Sequence, residues 1–542
     1  MTRIINIRLE RIADVLLILW GIISLIVWFS NKSNIADIEL LNRLLVVGVY
    51  FLFRLILTNY LQRASLVVLA IVVLLYLYEL TIGFLQIFGI MPTNDQYNLI
   101  VGTFNNPGPY GCFIATCVVL FIVYYFQNKN TKISIVFIIA SIIGVILLPS
   151  IRSRSAILSL LVALFIFFYK NYKAKVKRYL PFIIVVLFIV GAAAYYYKKP
   201  SAQGRFFMSK ISVKALFTNK LIGNGLGSFE GTYGNQQYYY FSNKMNHSLD
   251  YSLINETERL VADCPSESFN DYLRIGIESG LISMIIYLTV IGCAIFIALK
   301  TKCIWSYGLI TYSVFALFSF PSRLLLFNIL FPMLLSLCVS CKKDNEYVKY
   351  NLFLLFIFIS SLFMVISLYP SKLDFTKSKT TWTKKTNKQY LMGKYDRVIE
   401  GSDTLINSLY SFPPFLFAYG RTLHLQGDYA KSDSLLWMGS QISSDPMFWN
   451  VMGNNSLALG RYREAEERYK HAFYMVPNRL YPLYLLAKLY HTEGDTVRFL
   501  DMADKVETFI PKIESVNTEL LRSEIREIKA GYEGTIKQEN EP

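Results

Sequence analysis

Arg152 and Arg154 in PSIRSRSA, Arg205 in SAQGRFF, Arg274 in NDYLRIG and Arg323 in FPSR each stand beside a long apolar segment. A guanidinium stays charged at any relevant pH and offers a planar fork that matches phosphate oxygens, so several gathered on one face suit a diphosphate. Taken singly, each is equally explained as an interfacial side chain that keeps its head in water. Three groups able to take a proton from a hydroxyl, His247, Glu267 and Asp271, share the polar interval from about 198 to 274 with Arg205. A solvated loop acid needs no such role. Asp37 and Glu39, one residue apart, could bind a hard cation through oxygen, a triplet that also arises by chance.

Apolar helices must position these residues. The chain has 542 residues, 54% hydrophobic and 17% charged, and the apolar excess lies before residue 370. That is too apolar for one soluble globular protein. Spanning a bilayer takes about 20 predominantly apolar residues. Candidates fall near 13–30, 38–57, 64–84, 109–126, 132–149, 155–170, 180–197, 275–299, 303–320, 324–340 and 350–369, eleven in all. The first follows the basic leader MTRIINIRLER without a small-residue cleavage site and reads as a retained anchor.

Loop charges set the expected orientation. With the amino terminus in the cytoplasm, Arg3, Arg8, Arg11, Arg63, the basic run Lys170 to Arg178, Lys300, Lys302, Lys342 and Lys343 fall on that side. Only Lys32, Arg152, Arg154 and Arg323 fall in short outer loops, which puts the large loop and the carboxy-terminal region outside. The formal charge of +16 is accounted for by this distribution, without a nucleic-acid partner. The cysteines at 112, 117, 264, 293, 303, 338 and 341 have no metal-type spacing and read as buried thiols. The loop IMPTNDQYNLIVGTFNNPGPYG has no Lys or Arg and is rich in Asn, Gly and Pro, which fits either a carbohydrate-facing lip or an ordinary turn. Gly223-Asn224-Gly225-Leu226-Gly227 lacks the Lys-Ser/Thr ending of a nucleotide loop.

The order GTFNNPGPYG, SRSA opening a span, S..GR, LIGNGLGSF and FNDYLRIGIESGLI opening the next span resembles the superfamily of O-antigen ligases, O-unit polymerases and protein O-oligosaccharyltransferases. The resemblance covers roughly residues 90–300. It implies a glycan carried on undecaprenyl diphosphate and transferred on the outer face of the inner membrane, with no nucleotide sugar and no required metal. The acceptor would be lipid A-core, another glycan or a protein. Arg152 or Arg154, and Arg205, match the arginines that would hold the diphosphate. Asn270, Leu273, Glu278 and Gly280 match an Asn-x-x-Leu…Glu-x-Gly pattern, but Phe269 stands where many members have the histidine that activates the acceptor hydroxyl. Glu267, ahead of His247 and Asp271, is then the base the sequence favours.

Beyond residue 370 the pattern changes. GKY at Gly393, GDY at Gly427, GRY at Gly460 and GDT at Gly494 recur at spacings of 34, 33 and 34, the tetratricopeptide period. The fold class expected is all-α: a polytopic bundle over 1–370, a linker over 371–388, a repeat solenoid over 389–530 and a disordered tail over 531–542. Such repeats would meet a protein partner, and the basic linker would rest on membrane lipid. The competing functional class is a non-catalytic membrane scaffold or lipid-glycan transporter acting through the repeats.

Overall fold

A computed structural model describes all residues except 1, 94, 96–97, 130, 180, 182–198, 341–347 and 540–542. Every regular element among the described residues is a helix. Eight are long and apolar enough to cross a membrane: Leu9–Ser30, Asn34–Thr58, Tyr60–Ile87, Pro107–Gln127, Lys132–Ile151, Arg154–Asn171, Asp271–Lys300 and Asn351–Leu391. The expected span at 180–197 lies outside the described residues. The segments expected at 303–320 and 324–340 form helices of only 12 and 15 residues, Trp305–Ala316 and Leu325–Val339. Both are buried almost throughout, Trp305–Ala316 packed beside Pro107–Gln127 and Arg154–Asn171, and Leu325–Val339 beside Asn34–Ile87 and Asp271–Lys300.

Local chemistry explains the breaks. Ser33 caps Asn34–Ile87, a single run that loses helical geometry at Tyr60 and so contains two spans. Asn106 caps the next helix, with Pro at its first turn. The Asn/Gly/Pro loop before it folds back on the preceding span. Gln86 accepts from the Val101 and Gly102 amides at 3.0 and 2.9 Å, and Glu79 accepts from the Thr103 amide at 3.1 Å. In the bundle, Arg54 donates to both oxygens of Asp14 at 3.2 and 3.0 Å and to Ser340 at 2.7 Å, so neither buried charge is left alone. Cys303 is disulfide-bonded, which corrects the reading of all the cysteines as buried thiols; it sits in the turn after Asp271–Lys300, only partly buried against the bundle core.

The interval after residue 198 folds as the helices Lys199–Leu216, Phe229–Lys244 and Glu256–Val261. It shares one core with the carboxy-terminal helices, where Tyr233 and Phe241 bury with Tyr469, Phe473 and Leu486. Side chains that donate to backbone carbonyls seal the contact: Gln237 to that of Met475 at 2.6 Å, Arg259 to that of Ile510 at 2.8 Å, and Asn478 to that of Ala262 at 2.7 Å. The large loop and the tail therefore lie on the same side of the bundle. Residues 371–388, read as a linker, are helical, running through Val348–Thr381 and a π-helical turn at Trp382–Thr386.

The tail folds as successive antiparallel helix pairs, Pro413–Leu425 with Tyr429–Ile442, Met447–Ala458 with Tyr462–Met475 and Tyr481–Glu493 with Thr496–Thr508, preceded by Tyr395–Leu409 and followed by Val516–Glu539. Gly393, Gly427, Gly460 and Gly494 each follow a helix at φ between 69° and 82°, the left-handed stop that glycine adopts most cheaply. The last helix continues through most of the stretch expected to be disordered.

Candidate functional site

The site is built on a broken helix. Asn270 opens Asp271–Lys300, its side chain accepting from the Tyr272 and Leu273 amides at 3.0 Å each. Helical geometry fails at Gly280 (φ 85°, ψ 163°). The glycine turn 221–229 enters that gap. The Asn224 amide donates to the Ile277 carbonyl at 2.9 Å, the Gly225 amide to that of Glu278 at 3.0 Å, and the Leu281 amide to that of Lys220 at 2.8 Å. The groups orphaned by the break are thus satisfied by the turn. A Cβ at Gly280 would sit 2.0 Å from the Leu221 oxygen, and one at Gly223 would sit 2.4 Å from the Glu278 carbonyl carbon. Gly280→Ala is expected to destabilise the protein by about 1–3 kcal/mol, since alanine is strained at that φ even before the clash. Gly292→Ala, with nothing within 4 Å, is the control; equal thermal unfolding of the two variants in detergent would refute this role.

The break aims a set of charges. Glu278 pairs with Arg43 at 2.8 Å, both fully sheltered, and Arg43 also contacts Ser279. One turn earlier Arg274 reaches Glu39 at 3.2 Å and Ser322 at 2.8 Å. Asp271 accepts from the Ser322 amide at 3.0 Å and hydroxyl at 2.7 Å. Arg323 contacts Glu39 and donates through Nε to Glu267 at 2.8 Å. Glu39, Glu267, Asp271 and Glu278 thus face Arg43, Arg274 and Arg323, one carboxylate in excess. Glu267 is the most exposed of the four, its side chain 23% accessible. Burial pushes its carboxyl up to about 8; Arg274 opposes the rise, and the Asp271 and Glu278 carboxylates add to it. A carboxyl titrating near neutrality can exchange a proton with substrate.

Beside Glu267 lies a second, differently built group. Arg205 sits over the Phe269 ring at 4.9 Å, and its guanidinium is 3.5 Å from the Phe318 carbonyl. No carboxylate lies within ion-pair distance of Arg205 among the described residues. Burial, and the like charge of Arg154, lower its pKa from the usual guanidinium value. Arg154 reaches Ser201 at 3.5 Å. Arg152 is exposed, at φ 59°, where it ends the helix Lys132–Ile151. A partly desolvated pair of guanidiniums without an acid to balance Arg205 favours an anion.

Residues 139–288 match the O-antigen ligase family model. No curated protein matches the chain. The matched interval holds Arg152, Arg154, Arg205, the glycine turn and the run from Glu267 to Gly280, and the match supports glycan transfer of the ligase type at the level of the family. Together with the eight apolar helices, it makes this a multi-pass membrane protein.

Glu267, Asp271, Arg274, Glu278 and Arg323 therefore meet in one network, with Arg205 and Arg154 grouped at its edge. His247 is placed elsewhere: it lies against the repeat helices, 6.2 Å from the Tyr474 ring. Asp271 is buried with both oxygens engaged by Ser322. Asp37 and Glu39 face separate partners, Asp37 accepting from Trp28 at 2.7 Å and Ser371 at 2.6 Å. No group of three or more His, Cys, Asp or Glu side chains suited to a metal occurs among the described residues. Sequence reasoning passed over Arg43. Its signal was an arginine inside an apolar span, which is costly unless paired.

Proposed function

We propose that this protein transfers an undecaprenyl-diphosphate-linked oligosaccharide to an acceptor hydroxyl on the outer face of the bacterial inner membrane. One observation carries the reading: Arg205, with no balancing acid among the described residues, stands over Phe269, two residues from a carboxyl whose pKa burial raises to about 8. In this reading Arg205 and Arg154 hold the diphosphate, which leaves with the lipid. Glu267 takes the acceptor proton as the hydroxyl attacks the anomeric carbon, in place of the histidine absent at Phe269. Arg323 occupies Oε2 of Glu267, while Oε1 accepts no hydrogen bond among the described residues. Arg274 and Arg323 are already matched by Glu39, so they position the base and do not bind phosphate. The tetratricopeptide-type repeats, sharing a core with the loop, favour a protein acceptor or assembly partner on that side.

Deleting the gene and comparing lipid A-linked glycan, polymer length on the lipid carrier, and glycans on envelope proteins tests the proposal. Loss of lipid A capping identifies a ligase, shortened chains a polymerase and bare proteins an oligosaccharyltransferase. Three unchanged pools would reject transfer and favour the scaffold reading.

A further inference from the structure

The helix Phe229–Lys244 lies across the helices Tyr429–Ile442 and Tyr462–Met475 of two successive pairs. At the junction is a cavity of about 560 Å³, with Tyr238 and His247 on the loop side and Trp437, Trp449, His471 and Tyr474 on the repeat side. A neighbouring cavity of about 400 Å³ shares Trp437 and Arg468 with it. Both volumes are in the range of small-molecule sites. The larger space is formed by neither segment alone, whereas the smaller is lined by the repeat helices only.

The walls combine aromatic faces with paired charges. Trp449 and Tyr238 stack on His471 at 3.7 and 3.8 Å. Burial holds His471 neutral, lowering its pKa to about 3, so the imidazole acts as an aromatic plate. Trp437 meets Trp449 edge-on at 5.7 Å and remains 52% exposed. Half of this indole is left open along the two cavities it lines. Around it stand Glu464, Glu467 and Arg468, the last forked onto Asp433 at 2.8 and 2.7 Å. Nε1 of Trp449 and Nε2 of His471 are buried without a protein partner.

A sugar ring has an apolar C–H face and a rim of hydroxyls that both donate and accept. It fits an indole face flanked by carboxylate and guanidinium groups. An extended peptide gains its affinity from main-chain pairing, and helical walls have already used their backbone groups internally. We propose that this junction is a carbohydrate subsite that holds sugar rings of the oligosaccharide handled at the membrane site; the identity of that oligosaccharide rests on the transfer reading above. Glycan would be gripped at two places, by its diphosphate at Arg205 and by its distal sugars at Trp437.

The test uses the full chain in detergent and calorimetric titration with oligosaccharide released by mild acid from the lipid-linked pool of the source cells. Saturable binding is expected, weakened at least tenfold by Trp437→Ala and severalfold by Glu467→Gln, whose side chain is 68% exposed. Arg205→Ala should bind this lipid-free oligosaccharide as the unaltered chain does. Absence of binding, or wild-type binding by both groove variants, overturns the proposal. So does displacement by an unfolded envelope-protein peptide where the oligosaccharide has no effect. If the groove binds while Arg205→Ala leaves transfer intact, the subsite stands and the transferase assignment of Arg205 falls.

Discussion

Arg205→Ala is expected to lower glycan transfer about 10²- to 10³-fold, the loss that follows removal of one preorganised group from a developing negative charge. The reason is positional. Arg274 and Arg323 are bound to carboxylates and have little charge left to offer, whereas Arg205 has a ring below it and a carbonyl at 3.5 Å. Diphosphate binding would supply the counter-charge that the protein withholds. Arg205→Lys should recover only part of the rate, because a point charge cannot reproduce the planar fork or its stacking on Phe269. The side chain is only half-buried and makes no ion pair among the described residues, so the variant should unfold at nearly the same temperature as the unaltered protein. Transfer from purified lipid-linked donor is the measurement, with thermal unfolding alongside. A rate within twofold of the unaltered protein would remove Arg205 from the proposed donor site.

The parts of this fold legible in the sequence are those governed by local rules. Long apolar runs identify helices able to span, and a glycine recurring every 33 or 34 residues marks the left-handed stop inside each helix pair. Trp305–Ala316 and Leu325–Val339 were harder, because burial in protein and burial in lipid select the same side chains. Only length separates the two cases, and 12 and 15 residues are short for a crossing. The pairing of the glycine turn with the break at Gly280 joins residues more than 50 positions apart through backbone atoms. Side-chain identity records it solely as a demand for glycine, so Gly223, Gly225 and Gly280 could be marked in the sequence without revealing that they meet. Arg43 carries the opposite lesson: a charge inside an apolar run announces a partner but does not say which. Glu278, 235 residues away, supplies it.

The pH profile should expose Glu267 directly. A base must be ionised to accept the hydroxyl proton, so with its carboxyl held up near 8, kcat/KM should rise about tenfold per unit below that value and level off above it. The sign follows from the order of causes, since burial and the neighbouring Asp271 and Glu278 carboxylates disfavour the anion while Arg274 opposes them. Arg323, at 2.8 Å, fixes the orientation of the carboxyl. Glu267→Gln preserves size and hydrogen bonding but cannot take a proton; it should cost about 10²- to 10⁴-fold and abolish the rising limb. Glu39→Gln should act differently, because Glu39 touches Arg274 and Arg323 and not Glu267. Removing its charge leaves those guanidiniums free to hold the Glu267 anion more strongly. The limb should then move to lower pH while the plateau rate changes less than in Glu267→Gln. An unshifted limb in Glu39→Gln would disconnect the buried network from the base, and a limb that persists in Glu267→Gln would assign the proton to another group.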